Sequence, residues 1–431
     1  MSSAARLPAL ALCLLLAFVA GCTRQTPAAQ AAALADELAG IRAQLPADPT
    51  AAKADTLEKP AKRADKAYAR LLKLQEKNPQ DPAVTAARAQ AEPVYAEVRQ
   101  RRRLAEERQR VAALLGGLKV RAYRATRTVV VPKLLGTLAG AARQAAEADF
   151  ATLPAIVREG ATLAAQLADI RLADASAGNT APPLTRADWR QVAARIDTWN
   201  SAEPAEFPLG LALGYAVLGQ AGFALVELDR VDPTNLGEPG YAALVPLTRA
   251  IVLSRLGCLE LAAREATVDS GDSVQGRQLL AAIHALLAYG YATEKDWNRM
   301  DRELAHAVRI WPDNPLVVFL SGERLLADGR KEPALETFTR ATAGGEAAWL
   351  APLVEKRIRQ VRDSTGVAPP LLLDHELIAK CVLHSLIEQA QRSEPGRKFA
   401  RFLEASQLLP SAVLGQSGDE WMNGSAHATD E

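Results

Sequence analysis

The second half of the chain contains an internal repeat, and this feature limits its fold most. Residues 281–314 match residues 315–348 after a shift of 34 positions. The shift mostly aligns small residues with small ones and large residues with large ones: Ala288 with Gly322, Tyr291 with Leu325, Met300 with Ala334, Leu304 with Phe338 and Ala307 with Ala341. A period of this length is typical of one supersecondary unit stacked on its copies.

Within residues 315–348, small and large side chains alternate at helical spacing, and Gly329 falls where a turn is needed. Small residues let two helices approach closely, and large residues fill the space between them. This unit resembles the tetratricopeptide repeat, a helix–turn–helix of about 34 residues. The resemblance is weaker in residues 281–314, where Met300 replaces the usual alanine and Lys295 replaces the turn glycine.

Two weaker copies precede these units, with Gly219 and Gly257 as their turn residues. The interval between the two glycines is four positions longer than the shift found above, so we expect insertions between the early units. A stack needs about three units to be stable, and residues 205–348 offer four. The alternative is an unrelated bundle of helical hairpins; both possibilities predict an all-α protein.

The N-terminus predicts export and lipidation. Residues 7–22 read LPALALCLLLAFVAGC, a short apolar run that follows Arg6 and ends in small residues. This pattern is typical of a secretory signal, since the run is too short for a transmembrane helix. Its end, Val19-Ala20-Gly21-Cys22, resembles the lipobox of bacterial lipoproteins. The alternative is a plain signal peptide that happens to contain a cysteine.

The lipobox resemblance implies cleavage before Cys22 and attachment of acyl chains, palmitate among them, to that residue. Thr23 and Arg24 follow, without the aspartate that typically retains such lipoproteins at the inner membrane. The resemblance therefore implies an outer-membrane lipoprotein whose body faces the periplasm.

Composition favours closely packed helices, because the chain is 49% hydrophobic but only 5% aromatic and is rich in alanine. Its 51 basic and 50 acidic residues balance, which argues against nucleic-acid binding. Thr128–Val131 is the one short strand-like segment. The predicted organisation is a signal peptide (1–21), a lipidated tether (22–33), an N-terminal helical and coiled-coil domain (34–172), a linker with a connecting helix (173–204), a tetratricopeptide-like α-solenoid (205–348), C-terminal capping helices (349–413) and a disordered acidic tail (414–431).

The tetratricopeptide resemblance places the first helix of each unit on a concave face. It puts these residues there: Leu209, Leu213, Leu247, Ile251, Ala285, Tyr289, Phe319 and Glu323. Known chaperone-binding members carry Lys, Asn and Arg at such places to hold a carboxylate. This face is mostly apolar instead, which favours an open groove that takes a helix or an extended segment of a partner. The alternative is that the chain's own C-terminal helices cover it.

Residues 99–127 contain ten basic side chains but only two acidic ones, Glu106 and Glu107. Such a surface could contact anionic lipid, glycan or an acidic partner. It is more typical of a solvated helix face whose arginine stems lie on apolar neighbours. The candidate residues for such contacts are Arg101, Arg102, Arg103, Arg108 and Arg110.

No catalytic motif occurs in the sequence, and we expect neither enzymatic activity nor a cofactor. His375, Cys381 and His384 do not share one helical face, so we expect no metal site. Cys258 and Cys381 are interpreted as separate buried thiols, with a disulfide as the alternative. The sequence thus predicts a protein-binding scaffold of the bacterial envelope. The alternatives are a cell-wall enzyme, a regulator of peptidoglycan synthesis or a tether to peptidoglycan.

Overall fold

The computed structural model describes residues 26–47, 53–168, 184–203, 205, 207–236, 239–267, 274–343, 350–364 and 382. Within these ranges all regular structure is helical, which confirms the all-α prediction. None of the helices in this described part is both long enough and apolar enough to cross a membrane. The chain divides into two compact units, an N-terminal unit ending at Arg110 and a C-terminal unit beginning at Val111.

The N-terminal unit contains α1 (Pro27–Ala43), α2 (Ala54–Lys77) and most of α3 (Pro82–Gly116). Thr26 caps α1 by accepting a hydrogen bond from the N–H of Ala29. Each helix contributes one apolar face to a single core, with Leu38, Leu71 and Val98 among its buried members. Because this core is built mainly from alanine and leucine, the helices approach closely.

The C-terminal unit opens with α4 (Leu118–Glu147), α5 (Ala155–Leu167) and α6 (Arg186–Ser201). Helix α4 packs along both α5 and α6. Thr185 and Asp188 form a reciprocal capping box that fixes the start of α6. These three helices share one continuous core with everything that follows.

Four helical hairpins then follow in order. Their helices are α7 (Phe207–Val217) with α8 (Ala221–Leu228), α9 (Pro239–Arg255) with α10 (Leu259–Glu265), α11 (Val274–Thr293) with α12 (Trp297–Ile310), and α13 (Pro315–Ala327) with α14 (Lys331–Thr342). The two helices of each hairpin pack together, and each first helix contacts the first helix of the next hairpin. The last helix of the described ranges, α15 (Ala351–Asp363), packs on α14.

The same turn closes all four hairpins. Its central residue has positive φ each time: Gly219 (80°), Gly257 (67°), Lys295 (60°) and Gly329 (76°). The following N–H bonds to a carbonyl five residues back in every case, at 2.9 to 3.0 Å, which is the Schellman helix end. The interval from Lys295 to Gly329 is four positions shorter than the two intervals before it. The shift found in the sequence therefore describes only the last two hairpins.

Several predicted boundaries differ from the structure. The strand-like segment Thr128–Val131 lies inside α4, because its side chains follow a helical pattern in which Val131 is buried and Val129 is exposed. Helix α1 begins at Pro27, within the predicted tether. The predicted domain 34–172 is not one unit, since residues from Val111 onward belong to the second unit and its core. The coiled-coil pattern of α3 instead faces the core of the N-terminal unit.

Several predictions fall on residues outside the described ranges. They are the signal peptide with Cys22, the linker at 173–183, the capping helices near 371–386 and 396–409, and the acidic tail. Helix α15 lies within the predicted capping region 349–413. After residue 364 of that region only Val382 is described, and it is buried in the core of the C-terminal unit.

Candidate functional site

The residues of the predicted groove do not form an open surface. Leu247, Ile251, Tyr289 and Phe319 are at most 1% exposed, because the first helices of the hairpins turn these side chains into the core. The expected apolar groove is therefore corrected to hydrophobic core. The same holds for the other members of that face, Leu209, Leu213 and Ala285.

Glu323, the charged member of the predicted groove, is also buried and is paired inside the protein. Arg357 of α15 donates from Nε to Oε1 of Glu323 at 2.6 Å and from Nη2 to Oε2 at 2.8 Å. Burial raises the pKa of Glu323, and the hydrogen bonds and charge of Arg357 oppose that rise. The pair links the fourth hairpin to the last helix and leaves no free carboxylate for a partner.

A second buried carboxylate, Glu227 of α8, joins α8 to α4. Arg127 of α4 donates from Nε to Oε1 of Glu227 at 2.5 Å, and the hydroxyl of Tyr123 donates to the same carboxylate. Arg127 also pairs with Glu203, which in turn accepts from Arg230 at 2.8 Å. Although the sequence places Arg127 at the end of a basic stretch, its guanidinium is thus part of an internal ion-pair network.

The carboxylate of Glu227 is closed to solvent. Its side chain has no exposed surface, and that of Arg127 is 6% exposed. Burial raises the pKa of Glu227, while Arg127 and Tyr123 act in the opposite direction. Burial and the nearby Glu227 also raise the pKa of Tyr123. A perturbed carboxylate can mark a catalytic site, but this one lacks an opening to solvent, and its role here is to connect helices.

A third buried carboxylate, Glu260 of α10, connects the second and third hairpins. The hydroxyl of Tyr291 donates to Glu260 Oε1 at 2.9 Å, and Arg299 forms an ion pair with the same carboxylate. The guanidinium of Arg299 also lies over the ring of Tyr291, 5.5 Å from its centroid. Neighbouring hairpins are therefore joined by charge-assisted bonds as well as by apolar packing.

The predicted anionic surface on α3 consists largely of arginines paired along their own helix. Arg101 contacts Glu97 at 2.5 Å, Arg102 contacts Glu106 at 2.7 Å, and Arg103 contacts Glu107 at 3.0 Å. The other two predicted residues, Arg108 and Arg110, also have interaction partners. This pattern is that of an ion-paired, partly buried helix face, with few cations left to attract an anionic ligand.

An open cleft that was not predicted from the sequence lies between α1 and α2 and is called here the α1–α2 cleft. It has a volume of about 380 Å³, and its walls are Gln30, Ala33, Leu34, Arg70, Lys73, Leu74 and Lys77. Three of these side chains are cationic, while Leu34 and Leu74 pack against the core and form an apolar floor. The spacing of the basic residues on α2 was the available signal.

The described ranges also bear on metal binding and on the cysteines. No group of three or more His, Cys, Asp or Glu side chains there is arranged to hold a metal ion. Cys258 is buried in the core of the C-terminal unit. His375, Cys381 and His384 lie outside the described residues.

Comparisons with protein-family models, with curated proteins and with solved structures find no match in any of the three.

Proposed function

We propose that this chain is a lipid-anchored scaffold of the bacterial cell envelope that binds other proteins through a tetratricopeptide-like α-solenoid. The observation that carries the proposal is the fourfold recurrence of one helix–turn–helix with the same Schellman turn. The contacts between successive first helices support stacking of the four units. Such stacks present extended surfaces, and binding of other proteins is their usual role.

Anchoring rests on the lipobox-like residues Val19-Ala20-Gly21-Cys22. Each buried methylene contributes about 0.8 kcal/mol to membrane binding, so several acyl chains on Cys22 would hold the protein permanently. Thr23 and Arg24 favour the outer membrane, with the body in the periplasm. We propose no catalytic role, because the three buried carboxylates described above are paired and closed to substrate.

The predicted partner-binding side chains on the first helix of each hairpin are buried in the core. We therefore propose that the partner binds to the second helices of the hairpins. Trp297 and Val308 of α12 are 38% and 39% exposed. They are eleven residues apart, which places them on one face of the helix. An exposed tryptophan is a common anchor residue in protein interfaces.

Site-specific crosslinking in the cell of origin tests this function. A photoreactive phenylalanine analogue replaces Trp297 in the full chain, and the matched control carries it at the exposed Gln109 of α3. We expect position 297 to form a discrete adduct with an envelope protein, and Trp297→Ala/Val308→Ala to lose that partner while melting normally. Absence of a protein adduct at position 297, or the same adducts at both positions, would contradict the proposal.

A further inference from the structure

The α1–α2 cleft carries an uncompensated positive charge. Arg70, Lys73 and Lys77 are exposed, and none of them forms an ion pair with any residue that the structure describes. Lys66 precedes them at the same helical spacing of four, three and four residues, so the four cations share one face of α2. Like charges at this spacing repel one another, which disfavours the helix unless an anion is present.

Two basic residues that precede these four on α2 are paired, whereas Lys59, further from the cleft, forms no ion pair with a described residue. Lys62 contacts Glu58 at 2.6 Å, and Arg63 lies 3.9 Å from Glu37 of α1. Both paired residues, Lys62 and Arg63, lie outside the cleft. This contrast indicates that the cleft presents its cations to a ligand from outside the chain.

The apolar floor of the α1–α2 cleft limits which class of anionic ligand would fit there. Leu34 of α1 and Leu74 of α2 are partly exposed beside the cations, all of which lie on α2. A free phosphate ion would pair with the cations but would leave this apolar surface in contact with water. A phosphodiester with its glycerol backbone and the first acyl carbons provides negative charge and apolar surface together. The volume of about 380 Å³ lies in the range of small-molecule sites.

Chain length places the cleft near the anchor proposed above. Pro27, the first residue of α1, lies five residues after Cys22, and that stretch spans at most about 18 Å. Gln30 lies one helical turn further, about 4.5 Å along the axis. If Cys22 is lipidated, the cleft is therefore held within about 23 Å of the membrane surface.

We propose that the α1–α2 cleft binds the headgroup phosphate of an anionic phospholipid in the membrane that holds the anchor. Arg70, Lys73 and Lys77 pair with the phosphate, and Leu34 and Leu74 contact the glycerol and the adjoining acyl carbons. The contact orients the N-terminal unit on the membrane, where the acyl chains alone would leave it free to rotate. This inference rests on the proposed anchoring at Cys22.

Vesicle co-sedimentation tests it without the lipid anchor. The experiment uses a chain of residues 22–431 that carries the substitution Cys22→Ser. This chain retains every residue that the structure describes. This chain is mixed with vesicles of phosphatidylcholine alone, or of phosphatidylcholine and phosphatidylglycerol in a two-to-one ratio. We expect the chain to bind only to the anionic vesicles. The variant Arg70→Gln/Lys73→Gln/Lys77→Gln should bind them with at least tenfold lower affinity. The charge-matched control is Lys119→Gln/Arg121→Gln/Arg124→Gln, three exposed cations of α4, and we expect it to bind within twofold of the parent.

Competition separates the other ligands. Inorganic phosphate and an acidic peptide are added as competitors at matched charge. We expect neither to release much of the protein from the anionic vesicles. If both triple variants lost the same amount of binding to anionic vesicles, the attraction would be unspecific, and this result would overturn the proposal. Binding of inorganic phosphate or of the peptide, without binding to anionic vesicles, would also overturn it.

This result is independent of lipidation, because the tested chain carries serine at position 22. A failure of vesicle binding therefore refutes the lipid site but leaves the anchor untouched. Absence of acyl chains on Cys22 in the native protein would refute the anchor but would leave the measured affinity of the cleft unchanged. Thermal melting of each triple variant confirms that the helices are intact.

Discussion

Phe338 of α14 packs its ring against the backbone of Gly322 on α13. A Cβ atom added to Gly322 would lie 2.6 Å from Cε1 of Phe338. The same ring lies 5.4 Å, between centroids, from the ring of Phe319. The two helices of the fourth hairpin can therefore approach this closely only with glycine at position 322.

We expect Gly322→Ala to lower the free energy of unfolding by about 1–3 kcal/mol, because the ring has little room to move in a packed core. The control is Gly140→Ala in α4, where an added Cβ meets no atom within 4 Å. Since alanine favours helix over glycine, that variant should gain up to about 1 kcal/mol. Urea denaturation measures both, and equal effects would refute this packing.

Lys295 offers a test of the repeated turn. It adopts φ of 60°, whereas the three equivalent turns use glycine. A left-handed conformation costs a residue with a side chain about 1–2 kcal/mol, and glycine avoids most of that cost. Lys295→Gly should therefore stabilise the protein by about 1 kcal/mol, and Gly257→Lys should destabilise it. A loss of stability in Lys295→Gly, seen in denaturant titrations, would speak against equivalence of the turns.

The buried pair of Glu323 and Arg357 gives a third prediction. Arg357→Met leaves the carboxylate buried without its cation, so we expect a loss of about 3–5 kcal/mol. Arg359→Met changes an exposed residue of the same helix and should cost about 0.5 kcal/mol or less. The double variant Glu323→Leu/Arg357→Met should recover much of the loss. If the two single arginine variants melt alike, the pair does not stabilise the fold.

Glu227 predicts a pH dependence of stability. Burial raises its pKa, so the folded state binds the proton more tightly than the unfolded chain does. Its contribution to stability is therefore complete below the ordinary value of 4.5 and is lost as pH rises toward the folded pKa. Glu227→Gln has no proton to lose, so its unfolding free energy should improve relative to wild type between pH 4 and pH 7. An unchanged difference across that range would contradict the raised pKa.

The helical architecture could be predicted from local signals. Gly219, Gly257 and Gly329 mark three of the four turns in the sequence, and the small residues around them predict close helix pairs. Lys295 hides the fourth turn, because its residue type does not indicate positive φ. The shorter interval between the last two turns also weakened the periodic signal.

The roles of charged side chains could not be predicted in the same way. Arg127 pairs with Glu203 and Glu227, which are 76 and 100 residues away in sequence. Local charge patterns therefore suggest an exposed cation where the fold forms an internal bond. The predicted groove failed for a related reason: burial of Glu323 depends on Arg357, a residue of a helix beyond the repeats.

The acidic position eight residues after the turn was a usable signal. It holds Glu227, Glu265 and Glu303 in the first three hairpins. Glu227 bonds to Arg127, and Glu303 lies 2.8 Å from His284 Nδ1. A carboxylate that recurs at one position of the repeat predicts a polar partner, whereas a single occurrence does not.

Intact-mass spectrometry of the mature chain from its native membrane tests the central claim most directly. We expect the protein to begin at Cys22 and to carry the mass of a diacylglyceryl group and an amide-linked acyl chain. The Cys22→Ser variant should keep its signal peptide or leave the membrane fraction. A mature chain with an unmodified Cys22, or one that begins at another residue, would contradict a scaffold held at the membrane by its N-terminus.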